Sequence, residues 1–200
     1  MDLPELAELF EAQNDRQALA AVLKKDVEHC LGKLHGDDRQ EVQFWRRTFV
    51  RAVFADIEAQ IHSLRGSCLD LLRLGDLKLT TPQLAVLREE TYEIDNRGRA
   101  KTRTFFANAD KSIRFVLNTF AELNSADSPD YGTTGWESLR DSIRIRNRLT
   151  HPKNRDDMIV SDLELSQVMN GGRWFNDSVS ELYVAGSAMV DILRQKLRAA

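Results

Sequence analysis

The sequence predicts an all-α protein, a helical bundle over residues 37–200 with a small helical appendage over residues 1–36 and one short β-hairpin. Three observations lead there. Apolar residues recur at three- and four-residue steps through most of the 200-residue chain, which is the spacing of one helix face. Only 10 glycines and 4 prolines punctuate it, too few for a sandwich with many turns. Hydrophobic residues at 42% and charged residues at 30% supply a core and exclude a chain too polar to fold.

Asp2-Leu3-Pro4-Glu5 reads as a helix start, with Asp2 as cap, and Leu6, Leu9 and Phe10 follow; proline is tolerated in a first turn. A second short helix carries Leu19, Val22, Leu23 and Val27 to about Leu31, and together the two form the appendage. Gly32, Gly36 and Asp37-Asp38 break the pattern and cap what comes next. From Arg39 to Leu74 runs the longest periodic segment, with Phe44, Trp45, Phe49, Val53, Phe54, Ile57, Ile61, Leu64, Cys68, Leu71 and Leu72 on its apolar face. Its charged residues Arg46, Arg47, Arg51, Asp56 and Glu58 read as solvated decoration from which one could reach a functional cleft. Thr80-Thr81-Pro82 starts a short helix to about Glu90. Residues 92–103 carry the hairpin signal, with a turn at Asn96 to Gly98 and a basic tip of Arg97, Arg99, Lys101 and Arg103. A helix over about Thr104 to Leu123 places Phe105, Phe106, Ile113, Val116, Leu117, Phe120 and Leu123 in the core. The Ser-, Asp- and Gly-rich stretch from Asn124 to Gly135 is a loop. It leads into a helix over residues 136–151. Ser161-Asp162-Leu163-Glu164 has the form of a capping box for a last helix reaching about Arg198, with Gly171-Gly172 expected to break or bend it.

The helix over residues 136–151 ends in Arg146-Asn147-Arg148-Leu149-Thr150-His151-Pro152. At about 100° per residue, Arg146, Asn147, Thr150 and His151 fall within an arc of roughly 140° and can share one cleft. Trp136, Leu139 and Ile143 lie upstream on that arc, and Ile145 and Leu149 oppose it. A helix apolar on two sides is buried between two partners, either parts of its own bundle or a second subunit. Pro152 ends the helix.

Arg146-Asn147-x-x-x-His151 resembles the Arg-x4-6-His signature, with a polar residue after the Arg, of the HEPN (higher eukaryotes and prokaryotes nucleotide-binding) superfamily. The helical surroundings extend the likeness loosely over about residues 38–198. The resemblance implies a small helical bundle that pairs as a homodimer and a metal-independent endoribonuclease of the kind found in toxin–antitoxin, phage-defence and RNA-processing systems. An antitoxin or a nucleotidyltransferase is then a candidate partner. In the group silenced by nucleotidylation a Tyr follows the His by two positions; here Lys153 stands there, which argues against that modification and leaves hydrolysis open.

The chemistry suits those residue types. RNA carries its own nucleophile in the 2'-hydroxyl, so cleavage needs a base, an acid for the leaving 5'-oxygen, and positive charge for the phosphorane. His151 can move protons near neutral pH, Arg146 offers a permanent charge and a two-pronged fork for phosphate, and Asn147 can orient either. Two copies of the motif across a dimer would supply two histidines. Arg140, Arg144, Arg148, Thr150 and Lys153, with Arg155 nearby, are candidates for contacting the strand. The plain alternative is an Arg and a His that pair with acidic residues or bond across a packed seam.

A net charge of -3 excludes a generally basic nucleic-acid-binding protein and requires a local patch. The histidines, His29, His35, His62 and His151, form no ligand spacing with Cys30 and Cys68, so neither a metal nor a cofactor is expected. Two cysteines, no signal-like segment and no long apolar run point to a cytoplasmic protein without a membrane span. A non-catalytic module that binds RNA, a nucleotide or a protein through the same cleft is the second reading.

Overall fold

The computed structural model describes residues 3–74, 77–105, 107–186 and 195. Six α-helices, one two-stranded sheet and a short 3-10 helix, Asp156–Met158, are the regular elements of the described residues. They group into two compact units, one of Leu64–Ser128 with the chain from Leu182, the other of Asp2–Ser63 with Pro129–Glu181.

In the second unit, α1 (Leu3–Leu31) is one helix of 29 residues, not the two short ones expected. No Gly or Pro interrupts residues 5–31, and in the polar run in the middle Asn14, Asp15 and Gln17 are exposed without breaking the backbone. The residues that α1 covers recur as Leu9, Ala12, Gln13, Arg16, Ala20, Leu23, Val27 and Cys30, a single helix stripe. The His29 ring stands edge-on to Trp45, 5.8 Å away. The long helix α2 (Arg39–Leu74) has the expected bounds. Asp38 starts it, its carboxylate accepting from the N–H groups of Gln40 at 2.7 Å and Glu41 at 3.4 Å, which satisfies two of the donors a helix start leaves open. Phe49, Val50, Val53, Phe54, Ile57 and Ile61 are buried, but Phe44 is 52% exposed and is not core. It packs edge-on against Trp45 instead.

α5 (Thr134–Thr150) and α6 (Asp162–Ala185) complete this unit. The Ser161 box forms as expected, with Ser161 N–H donating to Glu164 at 2.9 Å and Glu164 N–H to Ser161 Oγ at 3.3 Å. The expected break at Gly171-Gly172 does not occur. α6 runs through both glycines because they serve contact, not bending: a Cβ on Gly171 would lie 2.6 Å from Leu139 Cα and 2.7 Å from Leu139 N, so only glycine lets the backbones of α5 and α6 come this close. Tyr131, Trp136 and Trp174 cluster beside this crossing at centroid distances of 5.0–5.8 Å. The stretch expected to continue to Arg198 lies, apart from Gln195, outside the described residues, as do Asp2, the side chain of Leu6, and Phe106.

The first unit holds the last turns of α2, α3 (Thr81–Leu87) with a full capping box from Thr80 and Gln83, strands β1 (Glu90–Ile94) and β2 (Ala100–Thr104), and α4 (Ala109–Leu123). The hairpin is antiparallel, with Glu90 opposite Thr104 and Ile94 opposite Ala100. Asp95 closes its turn by accepting from the N–H groups of Arg97 and Arg99 at 2.9 Å. The bond from Arg99, helped by the other donors, holds the Asp95 carboxyl below its ordinary value. α4 starts five residues later than expected, since β2 uses residues 100–104 and Phe105 N–H donates to Glu89 O at 2.7 Å; Phe105 is exposed, a second departure from the expected core. Ile113, Val116, Leu117, Phe120 and Leu123 are buried as expected. No helix among the described residues is long and apolar enough to cross a membrane.

Candidate functional site

The motif occupies the last turn of α5, where one face of the helix changes environment. Trp136, Leu139 and Ile143 on that arc are buried, and so are Ile145 and Leu149 opposite. Both apolar sides are therefore covered within the chain, the first of the two explanations for a doubly apolar helix, and they leave no bare apolar face on α5 to argue for a second subunit. Toward the C-terminus the arc emerges, and Asn147, Thr150 and His151 are exposed. Arg140 and Arg144 are exposed as well. Spaced at four, three and four residues, Arg140, Arg144, Asn147 and His151 make one solvent-facing strip.

Arg146 sits beside this strip and is held from two sides. Its guanidinium lies over the Phe54 ring, 5.8 Å from the centroid, and Nη2 donates to Glu58 of α2. Nη1 donates to Asn147 Oδ1 at 3.1 Å. Glu58 is one of several α2 charges that sequence alone does not rank; Phe54 reads there only as core and serves also as a platform. Because Glu58 is largely exposed, the pair is screened and contributes little stability. Its consequence is orientation, since Arg146 has a fixed direction and retains donors for an anion.

The other candidates divide. His151 ends α5, with its N–H on Asn147 O at 3.0 Å, and its ring makes no hydrogen bond among the described residues. Thr150 Oγ1 donates back to Arg146 O at 2.8 Å, which leaves the hydroxyl able only to accept. Arg144 pairs with Asp141 at 2.5 Å, and Gln167 donates to the other oxygen of Asp141 at 3.1 Å. Arg148 turns away from the strip: Nη2 donates to Ile159 O at 3.0 Å and to Glu164 at 2.8 Å, tying the end of α5 to the start of α6. Lys153 is exposed, and its N–H donates to Asp157 at 2.7 Å in the loop that follows.

That loop is fixed by α2. Gln43 exchanges two bonds with the Val160 backbone, at 3.0 and 2.9 Å; Arg46 donates to Val160 O at 2.9 Å and to Asp162 at 2.5 Å; Arg47 donates to Met158 O at 3.1 Å. No sequence pattern signals this clamp, because it joins residues more than a hundred positions apart. Beside it lies a groove of about 780 Å³ lined by Arg39, Gln40, Gln43, Arg47, Arg155, Asp156, Met158 and Ile159.

The remaining reactive groups are structural. Burial, with Asp70 adding, pushes the Cys68 thiol up to about 12, and burial with Asp26 raises Cys30, so neither is a ready nucleophile. No three His, Cys, Asp or Glu side chains converge on a metal-binding point among the described residues. No family model, curated protein or solved structure matches the chain.

Proposed function

We propose that the chain is a HEPN-type endoribonuclease that cuts single-stranded RNA by attack of the 2'-hydroxyl, in a toxin or phage-defence setting. The observation that carries this reading is the oriented Arg146, anchored by Phe54 and Glu58, next to an exposed strip that ends in His151. Arg146 stabilises charge on the phosphorane. His151 transfers the proton, and Asn147, already bonded to Arg146, sets the fork. A two-fold pairing of strips would bring two histidines to one phosphate, one as base and one as acid.

The test is cleavage of a labelled RNA in EDTA. Wild type is expected to leave 2',3'-cyclic phosphate ends, His151→Ala to abolish cleavage with the fold intact, and Arg146→Ala to cost on the order of a hundredfold or more. Wild type that cuts no RNA, or His151→Ala that cuts as well as wild type, would overturn the reading. The ion pair between Arg146 and Glu58 favours the second reading in that event, a non-catalytic module that binds RNA, a nucleotide or a protein at the same cleft.

A further inference from the structure

We propose that the groove between the start of α2 and the loop after the motif binds the phosphodiester backbone and a base of single-stranded RNA, with Arg39 and Arg155 as its phosphate ligands. The substrate class rests on the endoribonuclease reading; the site itself rests on the groove. Three guanidinium groups and one carboxylate line it. Neither Arg39, Arg47 nor Arg155 forms an ion pair among the described residues, whereas Arg144, Arg146 and Arg148 each meet a carboxylate. Unpaired arginines converging on one concavity repel one another, and an anion relieves that repulsion.

Part of the lining is apolar. Met158 is half-buried and Ile159 is exposed, and an exposed isoleucine beside arginines offers a base an apolar face while its phosphate meets the guanidiniums. The volume of about 780 Å³ lies within the roughly 300–1,000 Å³ of ligand sites. One side of the groove is also built. Arg47 donates to Met158 O, and Gln43 fixes the adjoining Val160, so the Met158 side is held before anything binds. Arg155 stands four residues after His151, so a strand seated here continues toward the motif through a short, clamped loop. An acidic peptide matches the charge but not the apolar side chains of Met158 and Ile159.

The experiment is fluorescence anisotropy with a labelled 2'-O-methylated oligouridine, which 2'-hydroxyl attack cannot cut. Arg39 and Arg155 are both exposed, so the double variant Arg39→Gln/Arg155→Gln should fold as wild type, checked by its urea midpoint. It should bind on the order of tenfold or more weaker, with the slope of log Kd against log salt reduced by about two, roughly one for each phosphate that no longer meets an arginine. Arg88→Gln, at the end of α3 and outside the groove, should keep the wild-type slope. A double variant that binds as tightly as wild type would overturn the groove, and polyglutamate binding as tightly as the oligouridine would overturn RNA as its ligand. Loss of cleavage in His151→Ala alone would still uphold the endoribonuclease; conversely, groove-dependent binding by a wild type that never cuts would uphold the groove and remove the enzyme.

Discussion

The arginines near the motif and those at the groove carry the same charge and do different work. Arg144, Arg146 and Arg148 are engaged by Asp141, Glu58 and Glu164, so their positions are set by the protein. Arg39 and Arg155 are exposed without an ion pair among the described residues, so their charge is available to a ligand. Paired arginines orient and fasten; unpaired ones attract. The difference teaches that crowding of Arg in sequence locates a basic region but does not say which members face a polyanion.

The largest expected effect separates the two sets by kinetics. Arg146→Ala should lower kcat by on the order of a hundredfold, whereas Arg155→Gln should raise KM several-fold with kcat nearly unchanged, the signature of weakened uniform binding. Steady-state cleavage of one labelled RNA by both variants decides it; equal losses in kcat would erase the distinction between fastening and attracting residues.

A smaller effect is on stability. Removing Arg148 takes the donor from one oxygen of Glu164, whose other oxygen keeps Ser161, and leaves Ile159 O without that donor, a loss of about 1–2 kcal/mol, while Arg39→Gln should stay within about 0.5 kcal/mol of wild type. Urea midpoints at one pH measure both. Arg148→Ala as stable as wild type would show that its pairing fastens nothing.

Smaller still, Glu58→Gln keeps an oxygen for Arg146 and removes the competing carboxylate, so RNA should bind a few-fold tighter, as read by anisotropy. Weaker binding would mean that the charge of Glu58, not its shape, holds Arg146 in place.

The smallest concerns Asp56, a buried carboxyl that accepts from Gln60 at 2.9 Å. Burial raises it above its ordinary value, partly offset by Gln60 and Lys24. A carboxyl raised in the folded state stabilises most when protonated, and that contribution is lost as pH rises through the folded value. Asp56→Asn should therefore raise the urea midpoint slightly at pH 7, and the difference should fade as pH falls below the ordinary carboxylate range. A difference that grows on acidification would reverse the sign assigned to this residue.

Local information is enough for much of the fold. The periodic face from Arg39 to Leu74, the caps at Thr80 and Ser161, the turn at Asn96 to Gly98 and the end of α5 at Pro152 each depend on a few neighbouring residues, and each stands where those residues place it. Two of the places where expectation and structure differ turn on a distant partner. Gly171 has the look of a helix breaker because its role is contact with Leu139, and Phe105 has the look of core because the β-bond to Glu89 that delays α4 is not local.

For the site, sequence determined the residue types and their common arc on α5, since helical geometry alone converts spacing into direction. Only the tertiary structure decided that this arc passes from core to solvent at Asn147, that Phe54 and Glu58 orient Arg146, that Arg148 fastens α6 instead of facing a ligand, and that Arg39 and Arg155 line one groove. The physical reason is range. Helix phase and capping are fixed within a few residues, but the partner of a charge is chosen by which distant segments packing brings beside it.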